Sequence, residues 1–219
     1  MLKFPCLVLD HDDTVVQTER AIGYPYFRDY IERIRPGMTL SFESYVRDCN
    51  NMVFADMCRQ RWNMTEQELL EEYVGWKAYS RQNIPPVCDG MEMVIRRFKE
   101  AGGILCVASL STREIIVRDY MYHFGFTPDA VYDYDLPAAQ RKPNAFAIED
   151  IMRRFALRPE QMLVVDDMKL GWDMAAKCAV PTAYAAWSKV EFPDLASEMK
   201  KIFDFSFDSA KDLEIFLFE

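Results

Sequence analysis

Apolar residues along the 219-residue chain fall mostly into short unbroken runs rather than alternating ones. Runs rich in branched residues lie at Cys6–Leu9, Ile104–Ala108, Ala130–Tyr132, Met162–Val165, Thr182–Ala186 and Ile202–Phe207. A strand that is apolar at every position needs cover on both faces, which is the mark of a parallel sheet. Between most of the runs, apolar positions repeat at the helical period. Met91, Val94, Ile95 and Phe98 form one such stripe, with Asp89 as the expected N-cap and Glu92 three residues further on. Gly102-Gly103 then stops that helix. Pro143 reads as the first-turn proline of a helix carrying Phe146, Ile148, Ile151, Met152 and Phe155. This alternation predicts an α/β fold with a doubly wound, Rossmann-like parallel sheet.

One stretch breaks the pattern. Residues 16–85 hold no strand-like run but several helical ones. One begins at Ser41; another begins at Thr65, where Glu68 takes the capping-box position. Pro85-Pro86 closes the stretch and gives a joint back to the sheet. The expected organisation is therefore an α/β core of residues 1–15 and 86–219, interrupted by a small all-helical domain of residues 16–85. Its aromatic residues, Phe27, Tyr30 and Trp62 among them, are expected to build that domain's own interior.

Half of the chain is hydrophobic and 28% is charged, which is globular composition. The formal net charge of −9 leaves no positive field to draw in duplex nucleic acid or an anionic membrane. The excess is uneven: residues 16–88 carry nine basic against ten acidic groups, and the remainder 17 against 25. The opening apolar run is too short for a secretory leader or a membrane span. Six scattered cysteines, with no C-x-x-C pair and no neighbouring histidine, read as reduced thiols rather than zinc ligands. A cytoplasmic location is expected. Nothing in the pattern sets an oligomeric state.

Ligands of a parallel α/β sheet bind at the carboxyl ends of its strands, so the residues ending each run matter most. The first run ends in Asp10-His11-Asp12-Asp13-Thr14, the second in Ser109 followed by Ser111 and Thr112, and the fourth in Asp166-Asp167. Arg141-Lys142-Pro143 adds a lysine at an expected helix start. Carboxylates crowded at one sheet edge repel and call for a cation. Their hard oxygen donors suit Mg²⁺. With the lysine and helix-start amides, such a cluster makes a positive cup for an anion such as phosphate.

The order of these motifs resembles the haloacid dehalogenase-like hydrolase superfamily over essentially the whole chain. VLDHDDTVVQTE is similar to its opening signature, and PPVCDGMEMVIRRFKEAGG to the linker and helix before its second motif. LRPEQMLVVDDMKLGWDMAAKCAVPTAY resembles the loop, strand and helix of its fourth. The resemblance implies a Mg²⁺-dependent phosphatase of a small phosphorylated metabolite, acting through an aspartyl-phosphate. It makes Asp10 the nucleophile and Asp12 the general acid and base. Ser109 would bond a phosphoryl oxygen, and Lys142 would neutralise charge on Asp10 and the transferring group. Asp10, Asp167 and the backbone carbonyl of Asp12 would hold the metal, with Asp166 and Thr14 in support. His11 and Arg20 are candidate substrate contacts. The helical domain resembles the family's mobile cap, which closes over the site and favours small substrates over macromolecules. A sugar-phosphate mutase of the same family, or a catalytically silent phospho-ligand-binding protein on this fold, would share all of these motifs.

The chain departs from the family pattern in three places. Asp13 stands where Gly is frequent, and Gln17 where Asp is frequent. The further acid expected four or five residues after the metal aspartate is replaced by Gly171 and Trp172, with Asp173 one position later. The division of labour between Asp166 and Asp167 therefore stays open, and Ser111 remains an alternative to Ser109. Asp173 reads as a first-turn helix acid favoured by the dipole, and His123 as structural.

Overall fold

In the computed structural model, which describes residues 2–52 and 54–219, every apolar run contributes a strand. Strand β1 (Cys6–Leu9) is followed by helices α1 (Tyr24–Ile34), α2 (Phe42–Asn51), α3 (Phe54–Trp62) and α4 (Glu66–Gln82). Then come α5 (Met91–Glu100), β2 (Ile104–Ala108), α6 (Arg113–Phe124), β3 (Ala130–Tyr132) and α7 (Phe146–Phe155). The chain continues through β4 (Met162–Asp166), α8 (Lys169–Ala176), β5 (Thr182–Ala185), α9 (Pro193–Met199), β6 (Phe205–Phe207) and α10 (Ala210–Phe218). It divides into two units: Met1–Val16 with Val87–Glu219, and Gln17–Pro86.

The first unit is a parallel six-stranded sheet in the order β3-β2-β1-β4-β5-β6. Side chains alternate along each strand and so divide into two cores. Leu7, Leu9, Leu105, Val107, Leu163 and Val165 pack with α5, α6 and α10 on one face. Cys6, Val8, Cys106, Met162 and Val164 pack with α7 and α8 on the other. Helical cover on both sides accounts for the apolar sequences of the central strands β1 and β2 and of β4 up to its final Asp166.

Three local expectations are corrected. Helix α5 starts from Gly90, at φ 87°, and not from Asp89. A positive φ is open to glycine because it has no Cβ, and the chain uses it to turn into the helix. Pro143 is not a first-turn residue: it follows a cis bond from Lys142, and α7 begins three residues later at Phe146 with Ala145 as its cap. The last strand is shorter than its apolar run, because residues 200–203 turn after α9 before β6 begins.

The second unit is helical throughout its regular structure among the described residues. Ser41 caps α2 by accepting from Ser44 N, and Thr65 with Glu68 forms a reciprocal capping box on α4. Phe27, Ile31, Met57, Cys58 and Trp62 are buried inside it. Tyr26 and Tyr30 donate to the carbonyls of Glu72 and Glu68, tying α1 to α4. Gly75 makes the first of these contacts feasible, since a Cβ there would lie 2.1 Å from the Tyr26 hydroxyl. The Arg35 guanidinium adds a two-pronged bond to Glu68, at 2.7 and 3.0 Å. Among the described residues no helix is long and apolar enough to cross a membrane.

Glu72 sits in this interior with its carboxyl pushed up to about 7 by burial. A raised folded-state pKa means that the folded form holds the proton more tightly than the unfolded chain. The associated stability is fully present below about pH 4.5 and is lost as pH rises from there through about 7. Replacing Glu72 by Gln should therefore raise the melting temperature at pH 8 and leave it nearly unchanged at pH 4. Equal shifts at both pH values would show that Glu72 titrates normally.

Candidate active site

The sheet register dictates which acids meet. Leu9 pairs with Val165 on one side and Val107 on the other. The next residue along, Asp10, therefore stands beside Asp166, and its amide donates to the Val165 carbonyl at 2.9 Å. Carboxylate oxygens of Asp10, Asp166 and Asp167 all lie within 4.8 Å of one another, and all three residues are buried. Three buried carboxylates this close cannot all stay ionised without cations.

Lys142 supplies one. Its Nζ lies 2.9 Å from Asp10 Oδ1 and 2.5 Å from Asp166 Oδ2. Asp166 Oδ1 accepts the Met168 amide at 2.8 Å, so both of its oxygens are engaged. Helix α8 leaves room for this carboxylate only because position 171 is glycine; a Cβ there would fall 2.0 Å from Asp166 Oδ2. Burial lowers the Lys142 pKa, but the charges of Asp10 and Asp166 outweigh it, and the ammonium is held above its ordinary value. Burial, helped by the neighbouring carboxylates, raises Asp10 and Asp166 against the pull of Lys142.

Asp12 lies two residues beyond Asp10. Its Oδ2 accepts from the Ser111 hydroxyl at 2.7 Å and more loosely from Ser109 at 3.4 Å, while its buried Oδ1 has no partner. Ser109 Oγ accepts the Ser111 amide at 3.2 Å. Both serine hydroxyls donate to Asp12, and Ser111 holds it the more closely of the two. Thr112, at the N-cap of α6, also has a buried hydroxyl without a partner. Thr14 is only 3.5 Å from Asp167 Oδ1, a weak contact, and its carbonyl accepts from the Trp187 indole at 3.2 Å.

One of the expected substrate contacts does not join this cluster. His11 is fully buried and points into the core, where Nε2 meets Asp119 Oδ2 at 3.1 Å and the ring stacks on Tyr120. Alternation along the chain explains this: the residue between two site acids faces the opposite side. Burial lowers the His11 pKa, but the Asp119 bond and nearby carboxylates raise it further, so the net shift is upward. Arg20 belongs to the helical unit, where its guanidinium lies 4.1 Å over the Phe42 ring. Asp173 pairs with Lys169 at 2.5 Å along α8, but it is the fifth residue of that helix, past its first turn, so the expected first-turn role is corrected to that of an i,i+4 partner.

The residue that sequence reasoning missed is Lys189. It is buried, and its Nζ lies 2.8 Å from Asp167 Oδ2. It comes shortly after the carboxyl end of β5, so the rule that picked out the other strand ends would have found it.

The family model for haloacid dehalogenase-like hydrolases matches residues 7–185 of this chain. Among curated proteins, no sequence matches it significantly. Solved structures share its fold at low identity. A mutant of CbbY from Rhodobacter sphaeroides, in complex with xylulose-(1,5)bisphosphate, is 15% identical with a TM-score of 0.69, over 95% of both chains. A predicted phosphoglycolate phosphatase from Haemophilus somnus is 18% identical with a TM-score of 0.74, over 98% of this chain and 99% of that one. A haloacid dehalogenase-like protein of unknown function from Agrobacterium tumefaciens is 15% identical with a TM-score of 0.77, over 96% of both.

Proposed function

The chain belongs to the haloacid dehalogenase-like hydrolases, and from that premise we propose that it is a Mg²⁺-dependent phosphatase of a small phosphorylated metabolite. The observation that carries this reading is the Asp10 carboxylate, bonded to Lys142 and within 4.8 Å of Asp166 and Asp167 oxygens. Relatives in fold include a protein crystallised with a sugar bisphosphate and one described as a phosphoglycolate phosphatase, which supports a phosphorylated small molecule as the substrate.

Asp10 attacks phosphorus with the carboxylate oxygen not taken by Lys142, forming an aspartyl-phosphate as the bond to the leaving oxygen breaks. Asp12, anchored through Oδ2 by Ser111, gives its proton to that leaving oxygen. A water then attacks the same phosphorus. Asp12 takes the proton of that water, the phosphorus–Asp10 bond breaks, and both acids return to their starting state. Lys142 offsets the charge on Asp10 throughout, and Ser109 donates to a phosphoryl oxygen.

The donor set fits a hard divalent cation: it is made of oxygens alone, and it gathers more negative charge than Lys142 can offset. Asp10, Asp167 and the Asp12 carbonyl would hold Mg²⁺, which would neutralise carboxylate and phosphoryl charge. Asp166, with both oxygens engaged, serves instead to anchor Lys142.

Hydrolysis of an aryl phosphate should stop in excess chelator and return with Mg²⁺. Ca²⁺ should support it poorly, because its longer and more numerous bonds would misplace Asp10. Phosphate release in the presence of chelator would refute the metal assignment. Release of free inorganic phosphate from sugar phosphates, rather than their isomerisation, would separate hydrolase from mutase.

A further inference from the structure

Lys189 has no part in the chemistry above, yet it is a buried ammonium at the edge of the site. Its side chain is 8% exposed. It bonds Asp167 Oδ2 at 2.8 Å, and Asp13 Oδ2 lies 3.8 Å away. Ser188 also reaches Asp167 Oδ2, at 3.3 Å. An ammonium is buried only where carboxylates compensate it, and both of these acids are unusual. Asp13 adopts φ 55°, the left-handed conformation that favours glycine. The chain accepts that conformation and gains a carboxylate facing Lys189. Asp167 has one oxygen taken by Lys189 and Ser188, while the other has only the weak 3.5 Å contact to Thr14.

We infer that Lys189 is the resident counter-cation of this site: it holds Asp167 and Asp13 together, and it weakens the binding of a divalent ion that shares Asp167. The inference rests on the reading of Asp167 as a metal ligand. The physical reason is simple. Two cations that share one carboxylate repel each other, and in a buried site little water would screen them. The ammonium thus keeps the site folded when no ion is bound, at the expense of affinity for one. Asp13 moderates that cost by drawing part of the ammonium's charge away from Asp167.

The roles of Lys189 and Asp13 then have opposite signs, which a purely structural lysine would not produce. The experiment is calorimetric titration of the chelator-stripped full-length protein with Mg²⁺, with thermal melting in chelator and in Mg²⁺ alongside. Lys189→Met should bind Mg²⁺ on the order of tenfold more tightly. It should also melt lower in chelator and gain more from added Mg²⁺. Asp13→Gly, which relieves the left-handed backbone, should fold at least as well as the parent and bind Mg²⁺ several-fold more weakly. If Lys189→Met does not fold, Asp13→Gly decides alone: weaker binding supports the inference, and unchanged or tighter binding overturns it. Equal or weaker Mg²⁺ binding by a folded Lys189→Met overturns it too, while leaving the phosphatase reading intact. A parent protein that binds no divalent ion would overturn both.

Discussion

Asp10→Asn is expected to abolish phosphate release, with a loss on the order of 10⁴-fold or more, while leaving the protein folded. The two halves of that expectation come from the same contacts. An amide oxygen is too poor a nucleophile to displace a leaving group from phosphorus, so no covalent intermediate can form. The fold survives because Lys142 keeps Asp166 at 2.5 Å. Burial also disfavours the ionised form of Asp10, so a neutral amide removes a charge the interior tolerates poorly. The melting temperature in chelator should therefore match or exceed that of the parent. Asp12→Asn supplies the contrast. It keeps the nucleophile but loses the group that deprotonates water, so a substrate with a good leaving group should phosphorylate it and leave it phosphorylated. Intact-mass measurement after mixing with an acyl phosphate reads both variants: one phosphoryl group retained by Asp12→Asn, none on Asp10→Asn. A phosphorylated Asp10→Asn would place the nucleophile elsewhere.

The sheet is legible in the sequence because its central strands β1, β2 and β4 are buried and apolar up to their carboxyl ends, while β6, half-buried at the edge, is interrupted by Ser206. The inserted helices are legible because their starts are written locally, in Ser41 and in Thr65 with Glu68. Local rules err where a backbone option outweighs a preference for a residue type. Gly90 displaces Asp89 at the head of α5, and a turn after Lys142 displaces Pro143 from the first turn of α7. In the site, residues at strand ends can be found by position alone, since a parallel sheet brings its carboxyl ends to one edge. What position cannot give is the partner of each group. That Asp166 spends both oxygens on Lys142 and the Met168 amide depends on β1 and β4 lying side by side. That His11 turns toward Asp119 depends on α6 packing beneath β1. The absence of an acid at position 171 reads as a departure in the sequence; in the structure it is the space that Asp166 occupies.

Lys142→Met should cost both stability and activity, and a second substitution should separate them. The ammonium is the only cation within bonding distance of Asp10 and Asp166 among the described residues. Removing one partner of a buried ion pair costs about 3–5 kcal/mol, because the remaining charge is left without compensation. Here two carboxylates would be left, each already raised by burial, so the variant should melt well below the parent and recover partly at acid pH as they take up protons. Its turnover should fall on the order of 10²- to 10³-fold, the usual loss when a group that stabilises transition-state charge is removed. Adding Asp166→Asn takes away one of the stranded charges. The double variant should therefore regain part of the lost stability without regaining turnover. The new side-chain amide oxygen can still accept from the Met168 amide, but nothing replaces the positive charge beside Asp10. Recovery of activity along with stability would mean that Lys142 serves only to hold the fold. Recovery of stability alone would show that the ammonium acts on the group being transferred, as its 2.9 Å bond to the Asp10 carboxylate implies.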